Sequence, residues 1–452
     1  MPLRTPKPLR VAVLADSDTR WKWGALTAGR VLPTGPAGLS TGRPVLDGFL
    51  LRGRATPTPR QLREVGVRAD SLREVTAAEF LRVMARQPYD VLVLALVGGG
   101  VQALLHGLGR AWEGRSERPV VVTGYVGVVY EKLADGLLLR HGADLVLANS
   151  RQDAERFRAV YEGVGADASA VTEVALPFLG GDPYRGEHSP YTVVFAAQPS
   201  VPESRAGRAY LLDRLVRHAR LHPDREVLLK LRSKPGEHTT HVEELPYQKL
   251  VRDLDAPPNL RLVYGNMGEV LDRADLMVTV SSTAALESLH RRVPTVVLTD
   301  LGIREALGNH HFIGSGCLAS WDQLDAGHRP VPDPHWVARQ GVAAGAFGEA
   351  APAAGSYATA FDAARERIGA LLDRPGGLPP LTPYYTPVTA PGYLPGILAR
   401  HHLGPDGSPL PGAPAADAEP GAVRRIVRRA ALGAYRHGVQ RVAPAIRRMG
   451  EL

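Results

Sequence analysis

The sequence contains one cysteine and no long hydrophobic run, and both shortages exclude whole classes of protein. Cys317 can form neither an intrachain disulfide nor a cysteine cluster for structural zinc, and a lone thiol fits a reducing compartment. No apolar run reaches the roughly 18 residues of a membrane span. The uninterrupted apolar run before Asp16 is only the five residues Val11–Ala15, which is too short for a signal peptide. We therefore expect a globular protein that stays in the cytoplasm.

Most of the chain also lacks an excess of either charge. The formal net charge is +8, but residues 421–452 contain eight arginines and one acid, so this tail alone accounts for +7. The remaining body is close to neutral, and it carries no nucleic-acid-binding motif. A basic surface that binds DNA or RNA is therefore not expected.

What the chain does contain is a series of short apolar runs, each followed by a polar or glycine-rich turn and a helical pattern. Runs that are apolar without alternation are typical of buried strands in parallel sheets. The predicted strands are 11–15, 91–97, 119–125, 143–148, 192–197, 226–231, 259–263, 276–280 and 295–298. Leu176–Tyr191 is rich in proline and glycine and marks a domain boundary. This order predicts an α/β fold with two Rossmann-like doubly wound domains, residues 1–185 and 186–355.

The stretch Leu276–Asp300 is the centre of the second domain and predicts a strand, a helix and a second strand. Ser281, Ser282 and Thr283 follow the first strand at its carboxyl end, where ligands bind in such sheets. Their hydroxyls and the amides of the next turn suit a phosphate, and Glu287, one helical turn on, suits a ribose hydroxyl. The alternative is that these residues only cap a crossover helix.

Three cations end the strand Glu226–Leu231. They are Lys230, Arg232 and Lys234, spaced two residues apart, so their side chains point to the same side of the strand end. Three cations on one side suit the phosphate of a nucleotide. The loop that follows contains His238, His241 and several glutamates, but their spacing fits no recognised metal site. We predict neither a metal nor a cofactor.

The first domain opens with a strand that runs directly into a polar, aromatic turn. Asp16 and Asp18 are candidate carboxylates there, and Trp21 and Trp23 are candidates for stacking on a sugar ring. The alternative is that Asp16 or Ser17 caps the next helix and the tryptophans belong to the core.

Two further stretches of the first domain carry candidate site residues. Gly99 and Gly100 lie in a triple glycine at a strand end, where the backbone can approach a ligand closely, although a tight turn explains the glycines equally well. Glu131 and Asp135 lie in a polar, helical stretch that precedes the fourth strand.

These residues carry a resemblance to a known group of enzymes. The segment SSTAALESLHRRVPTVVL, from Ser281 to Leu298, resembles the nucleotide-binding segment of GT-B glycosyltransferases, above all bacterial enzymes with a paired-serine motif that use CMP-activated sialic acid or Kdo. In those enzymes the strand that corresponds to Glu226–Leu231 ends in a Lys-x-His-Pro-like motif, and here Arg232-Ser233 stands at the His-Pro position. The block Asp16–Trp23 is similar to the opening of an actinobacterial family of inferred glycosyltransferases, over about residues 10–370. Asp135-Gly136 resembles the acidic-Gly pair that supplies the base in some GT-B sialyltransferases.

The C-terminal fifth of the chain predicts three further segments. Residues 356–374 form an amphipathic helix that, by resemblance, crosses back to the first domain. Residues 375–420 are dominated by proline and glycine and predict an extended linker. Residues 421–452 predict a helix with arginine pairs opposite an apolar face, which is the pattern of a helix on an anionic membrane surface. Docking on an acidic partner or on the protein's own surface is the alternative.

The resemblance implies two domains facing across a cleft that holds the active site of a metal-independent, inverting glycosyltransferase. The second domain would bind the nucleotide-sugar donor, with a CMP-ulosonic acid as first candidate and a UDP-sugar or a polyol-phosphate donor as alternatives. The first would bind a cell-envelope glycan or lipid-linked acceptor and supply the general base, with Asp16 or Asp18 ahead of Asp135 and Glu131. A nucleotide-sugar epimerase and a non-catalytic membrane-associated binding protein are the alternatives.

Overall fold

The computed structural model describes residues 8–33, 43–128, 132–234, 237, 243, 245–342, 357 and 359–411. These residues divide into two compact units. The first lies within Met1–Phe178 and Gly355–Glu419, and the second within Leu179–Ala354.

The strands and helices alternate along the chain. The strands are β1 Arg10–Ala15, β2 Val45–Leu51, β3 Ser71–Val75, β4 Val91–Ala95, β5 Val120–Gly124, β6 Leu145–Ala148, β7 Val171–Glu173, β8 Thr192–Ala196, β9 Glu226–Lys230, β10 Leu260–Val263, β11 Leu276–Thr279, β12 Thr295–Leu298 and β13 Leu318–Ala319. The helices are α1 Asp18–Val31, α2 Pro59–Val65, α3 Ala77–Arg86, α4 Gly98–Ala111, α5 Leu133–Leu138, α6 Arg151–Gly163, α7 Arg205–Leu221, α8 Tyr247–Leu250, α9 Met267–Leu271, α10 Ala284–His290, α11 Trp321–Asp325, α12 Pro334–Arg339, α13 Asp362–Leu372 and α14 Leu394–Arg400.

The first unit is built on a seven-stranded sheet in the order β3-β2-β1-β4-β5-β6-β7, and every neighbouring pair is parallel. Its central strands are apolar on both faces because a layer of helices covers each face, and the core forms one cluster on either side of the sheet. The strand order reverses between β1 and β4. In a doubly wound sheet the carboxyl ends of these two strands flank the crevice in which ligands bind.

The second unit repeats this plan with six strands, all parallel, in the order β10-β9-β8-β11-β12-β13. Its strand order reverses between β8 and β11, so the residues that follow Ala196 and Thr279 flank the second crevice. Both units are Rossmann-like, and the predicted fold class, a pair of Rossmann-like domains as in GT-B proteins, is confirmed.

Three strands of the first sheet escaped prediction, and each has a local reason. β7, at one edge of the sheet, is only three residues long. β2 contains Asp47 and Gly48, which interrupt its apolar character. β3 is the strand at the other edge of the sheet, and four of its five residues are exposed, so its sequence shows no buried face.

The late part of the chain packs on the first unit. Phe361, Ala364 and Ile368, at the start and within α13, join the core cluster that contains α1. Residues 375–411, expected as an extended linker, contain α14, whose buried residues Leu394 and Leu398 pack in the cluster that contains α4. The dense proline and glycine around this short helix hid its apolar face in the sequence.

One C-terminal expectation falls outside this description. The predicted basic helix 421–452 lies beyond the described residues. None of the helices in the described part of the chain combines the length and the apolar character needed to cross a bilayer.

Candidate functional site

Asp16 ties together the two strand ends that flank the first crevice. It follows β1 directly, and its Oδ2 accepts a hydrogen bond from the backbone N–H of Val97, after β4, at 2.9 Å. Its Oδ1 accepts from Arg20 Nη1 at 2.9 Å, in an ion pair that is largely shielded from solvent. Ser17, between them, is the N-cap of α1. Asp16 therefore lies at the crevice, as predicted, and Ser17 performs the capping.

The neighbouring residues divide between crevice and core. Asp18 lies in the first turn of α1, is partly exposed, and accepts a hydrogen bond from Thr19 Oγ1 at 3.3 Å. Trp21 and Trp23 are fully buried under the sheet, where the Trp23 indole N–H donates to Asn149 Oδ1 at 3.4 Å. The suggestion that these tryptophans stack on a sugar ring is wrong, because both pack against strands of the sheet: a Cβ on Gly48 of β2 would lie 2.6 Å from Trp21 Cη2, and one on Gly124 of β5 would lie 2.9 Å from Trp23 Cζ2.

The triple glycine opens α4, and the structure shows what lies against it. A Cβ on Gly98 would come within 2.9 Å of Leu139 Cδ1, so close packing requires a glycine there. A Cβ on Gly99 would lie 3.8 Å from Ile397 Cγ2, and one on Gly100 would lie 3.7 Å from His401 Cε1. The element that approaches Gly99 and Gly100 is thus the chain's own C-terminal segment.

A buried arginine that we did not single out from the sequence holds the first crevice together. Arg140 donates to the backbone carbonyls of Leu96 at 3.2 Å, Gly124 at 3.1 Å and Gly136 at 2.7 Å. It thereby joins the ends of β4 and β5 to α5. Its guanidinium lies 4.0 Å from the centroid of the Tyr125 ring, and burial lowers its pKa. No sequence pattern marks this residue, since its partners lie up to 44 positions away.

The Asp135-Gly136 pair has a packing explanation for its glycine. A Cβ on Gly136 would lie 2.1 Å from Tyr125 Oη, which is buried. Asp135 itself is exposed, and its Oδ1 accepts a hydrogen bond from the Tyr393 hydroxyl at 3.2 Å. Glu131 lies outside the described residues, so only Asp135 of this stretch is placed.

His401 is a second residue that sequence reasoning missed. It follows α14, is half-buried, and contacts the glycine turn. Burial lowers its pKa, and the negative charge of Asp16 acts in the opposite direction. The only signal in the sequence was a His-His pair within a stretch rich in proline and glycine.

At the second crevice, Ser281 lies inside the protein. It is fully buried, its hydroxyl donates to the carbonyl of Leu307 at 2.5 Å, and its backbone N–H donates to Gln198 Oε1 at 3.0 Å. Gln198, which follows β8, returns a bond from Nε2 to Ser281 Oγ at 3.1 Å. Because this network occupies the side chain, Ser281 joins β8 to β11 and does not present its hydroxyl to a ligand, contrary to the expectation.

The next two hydroxyl residues are partly exposed at the same strand end. Ser282 Oγ accepts from the backbone N–H of Ala284 at 3.2 Å, and the Ser282 N–H donates to Thr279 Oγ1 at 3.1 Å. Thr283 immediately precedes α10. Glu287, within α10, is buried, with only 7% of its surface exposed to solvent. Ser282 and Thr283 are therefore the members of this set with surface available to a ligand.

The three cations at the end of β9 and just beyond it differ in their exposure to solvent. Lys230 is buried, and its ammonium donates to the carbonyl of Leu231 at 2.9 Å. Arg232 is partly exposed and Lys234 is exposed, with the Lys234 ammonium 5.6 Å from the centroid of the Tyr264 ring. The last two cations are thus accessible, and Lys230 contributes charge from within the protein.

Buried Arg208, another residue missed from the sequence, fixes the loop after β8. It donates to the carbonyls of Gln198 at 3.2 Å, Pro202 at 2.9 Å and Leu245 at 2.8 Å, and it pairs with Glu243 at 3.0 Å. Since Gln198 in turn holds Ser281, Arg208 indirectly positions the strand end that carries Ser282.

One group in the second unit, His218, His222 and Asp325, has the donor atoms of a metal site. Its residues fit a metal poorly, because Arg214 already pairs with the carboxylate and the cationic Arg225 lies against the imidazole of His218. Asp325 accepts from His218 Nδ1 at 2.7 Å and from Arg214 at 3.1 Å, and Arg225 lies 3.5 Å from His218 Nε2. Burial lowers the pKa of His218 to about 4. We assign this group to the stability of the fold.

Comparison with known proteins gives one extended match. The sequence profile of the family described as "Putative glycosyltransferase (DUF6716)" matches residues 11–354. No curated protein sequence matches the chain significantly.

Among solved structures the similarities are distant. The Neisseria meningitidis UDP-GlcNAc 2-epimerase bound to UDP-GlcNAc is 9% identical with a TM-score of 0.46, covering 81% of this chain and 100% of its own. S. aureus MnaA with UDP is 12% identical with a TM-score of 0.46, covering 80% and 95%. The glycotransferase of kitacinnamycin is 15% identical with a TM-score of 0.41, covering 81% and 96%. Similarity this low supports no inference about activity.

Proposed function

Since the chain belongs to this glycosyltransferase family, we propose that it transfers a sugar from a nucleotide-activated donor to a cell-envelope glycan or a lipid-linked acceptor. The observation that carries the proposal is the extent of the family match. Residues 11–354 include the strand ends of both crevices, so the match covers both candidate sites.

The donor is assigned to the second unit. Ser282 and Thr283 offer hydroxyls at the β11 end, and Arg232 and Lys234 offer accessible cations beyond β9. Cations and hydrogen-bond donors fixed around a phosphate stabilise the charge that develops as the nucleotide departs, which needs no metal. Glu287 is assigned to a hydroxyl of the ribose. The paired serines favour a CMP-ulosonic acid, and a UDP-sugar is the other donor to test.

The acceptor is assigned to the first unit, with an inverting displacement at the anomeric carbon. A carboxylate or histidine must then take the proton of the acceptor hydroxyl. Asp16, Asp18 and Asp135 are the placed carboxylates, and Glu131 stays a candidate outside the described residues. We further propose that residues 421–452 hold the enzyme at the anionic inner face of the plasma membrane, near a lipid-linked acceptor.

A thermal-shift series tests the donor assignment. CMP, CDP, UMP, UDP and GDP are each titrated against the full chain. We expect one nucleotide to raise the melting temperature, because ligand at 100 times its dissociation constant adds about 2.7 kcal/mol to the free energy of unfolding.

Two variants with a control locate the site. Ser282→Ala and Arg232→Ala should weaken the shift, while Arg220→Ala, an exposed arginine at the far end of α7, should retain it. Stabilisation that survives both substitutions would place the nucleotide elsewhere. No shift with any nucleotide at millimolar concentration would contradict a donor site in this unit.

A further inference from the structure

The segment that precedes His401 is anchored on the first unit. His106 Nε2 and Gln102 Nε2, both on α4, donate to the carbonyl of Tyr385 at 2.9 Å and 3.2 Å. Leu394 and Leu398 of α14 are buried in the core cluster that contains α4. Residues 385–401 are therefore held in place over α4.

This anchoring sets His401 beside the first crevice. The stretch Val97–Gly100 lies next to both groups. The Val97 N–H donates to Asp16 Oδ2 at 2.9 Å, and a Cβ built on Gly100 would be in van der Waals contact with His401 Cε1, at 3.7 Å. The charge of Asp16 acts on the His401 imidazole, so the two groups are electrostatic neighbours.

The three placed carboxylates already accept hydrogen bonds. Asp18, in the first turn of α1, accepts one from Thr19 Oγ1 at 3.3 Å. Both oxygens of Asp16 already accept hydrogen bonds, from Arg20 and from Val97. Asp135 accepts the Tyr393 hydroxyl. Protonation would remove the negative charge that strengthens the ion pair of Asp16 with Arg20 and the hydrogen bond from Tyr393 to Asp135.

The His401 imidazole is better suited to accept a proton. Within the described part of the chain it makes no hydrogen bond, and it is half-buried. Burial is the main cause that lowers the pKa of His401 from its ordinary 6.5; Arg400 and, when protonated, His402 act in the same direction, and Asp16 opposes them. The ring is therefore neutral at pH 7 and can accept a proton.

We infer that His401 is the general base of the transfer, and that Asp16 is a positioning residue that stabilises the imidazolium; this inference rests on the proposed function. A ring nitrogen of His401 takes the proton of the acceptor hydroxyl while the acceptor oxygen bonds to the anomeric carbon. The bond from that carbon to the donor's phosphate oxygen breaks, and its electron pair stays on the departing nucleotide.

The test uses the full chain with water as the acceptor and measures free nucleotide released from CMP-N-acetylneuraminic acid, CMP-Kdo and UDP-N-acetylglucosamine. His401→Asn should lower kcat by about 10²- to 10⁴-fold, the usual contribution of a general base, with the donor KM within about twofold. His328→Asn is the matched control. His328 is exposed, follows α11 in the second unit and belongs to neither set of candidate site residues, so this variant should keep the normal rate.

The pH profile of the unsubstituted protein gives a second measurement if His401→Asn fails to fold. We expect kcat/KM to decrease as the pH falls below 6.5, following the protonation of one group. The negative charge of Asp16 raises the pKa of His401, so Asp16→Asn should shift this acid limb of the profile to lower pH. Arg20 and Arg140 lie beside Asp16 and stay unchanged in this variant. An acid limb that does not move, or moves upward, would overturn the inference.

The outcomes separate the two proposals. If the unsubstituted protein releases nucleotide and His401→Asn is equally fast, His401 is not the base, although the proposed function stands. If the unsubstituted protein releases nucleotide from none of the three donors, the proposed function fails and the role of His401 fails with it.

Discussion

Replacing Arg140 by methionine tests whether this residue holds the first crevice together. The substitution keeps much of the side-chain volume but leaves the carbonyls of Leu96, Gly124 and Gly136 without their donor. Each buried carbonyl left unpaired costs about 1–3 kcal/mol. Because the three losses share one site they are not fully additive, and we expect the free energy of unfolding of the first unit to fall by about 3–5 kcal/mol.

Urea denaturation followed by hydrogen exchange of the β4 and β5 peptides measures this loss in the first unit specifically. Arg110→Met is the matched control, since Arg110 makes an exposed ion pair with Glu113 on the surface of α4. Such pairs contribute about 0–1 kcal/mol. If Arg140→Met costs less than about 1 kcal/mol, or no more than Arg110→Met, the account of a crevice organised by Arg140 is refuted.

Two further predictions concern packing and pH. Gly136→Ala should destabilise the first unit by about 1–3 kcal/mol, because the new Cβ meets the phenolic oxygen of Tyr125. Adding Tyr125→Phe should recover most of this loss in a double-mutant cycle. Equal losses in the single and the double variant would contradict this explanation. Lowering the pH from 7 to 4 should draw contributions of opposite sign from two buried groups. Burial lowers the pKa of His218 to about 4, so the unfolded chain takes up that proton first and this group costs the second unit stability, by at most about 1.4 kcal/mol per pH unit. Burial raises the pKa of Asp153 to about 6, so the folded first unit takes up that proton first and this group adds stability. Hydrogen exchange resolved by unit, compared between the unsubstituted protein and His218→Phe or Asp153→Asn, checks the sign of each contribution.

The elements that could be predicted from the sequence are those with a local signature. β4, with the sequence VLVLA, is buried on both faces, and so its residues are apolar without interruption. β3 could not be found in this way because an edge strand buries little. α14 was missed since its apolar residues cover α4, and nothing local reveals a partner almost 300 residues earlier in the chain.

The same limit applies to the candidate site. Asp16 could be predicted because it directly follows a buried strand, and the strand end is where such sheets bind ligands. Arg140, Arg208 and His401 could not, since each acquires its role from partners that the fold brings together. Ser281 looked like a ligand contact because a hydroxyl at a strand end has the same sequence signature whether it faces the crevice or, as here, Gln198 and Leu307.

Transfer of a labelled sugar tests the central claim most directly. The purified protein is incubated with sugar-labelled CMP-N-acetylneuraminic acid, CMP-Kdo or UDP-N-acetylglucosamine and with a lipid and glycan fraction from cell envelopes, and the label and free nucleotide are followed by mass spectrometry. The account predicts label in the glycan or lipid fraction and free nucleotide in equal amounts. Label that stays on the nucleotide as an isomerised sugar would identify an epimerase, and unchanged donor in every reaction would contradict the assignment as a transferase.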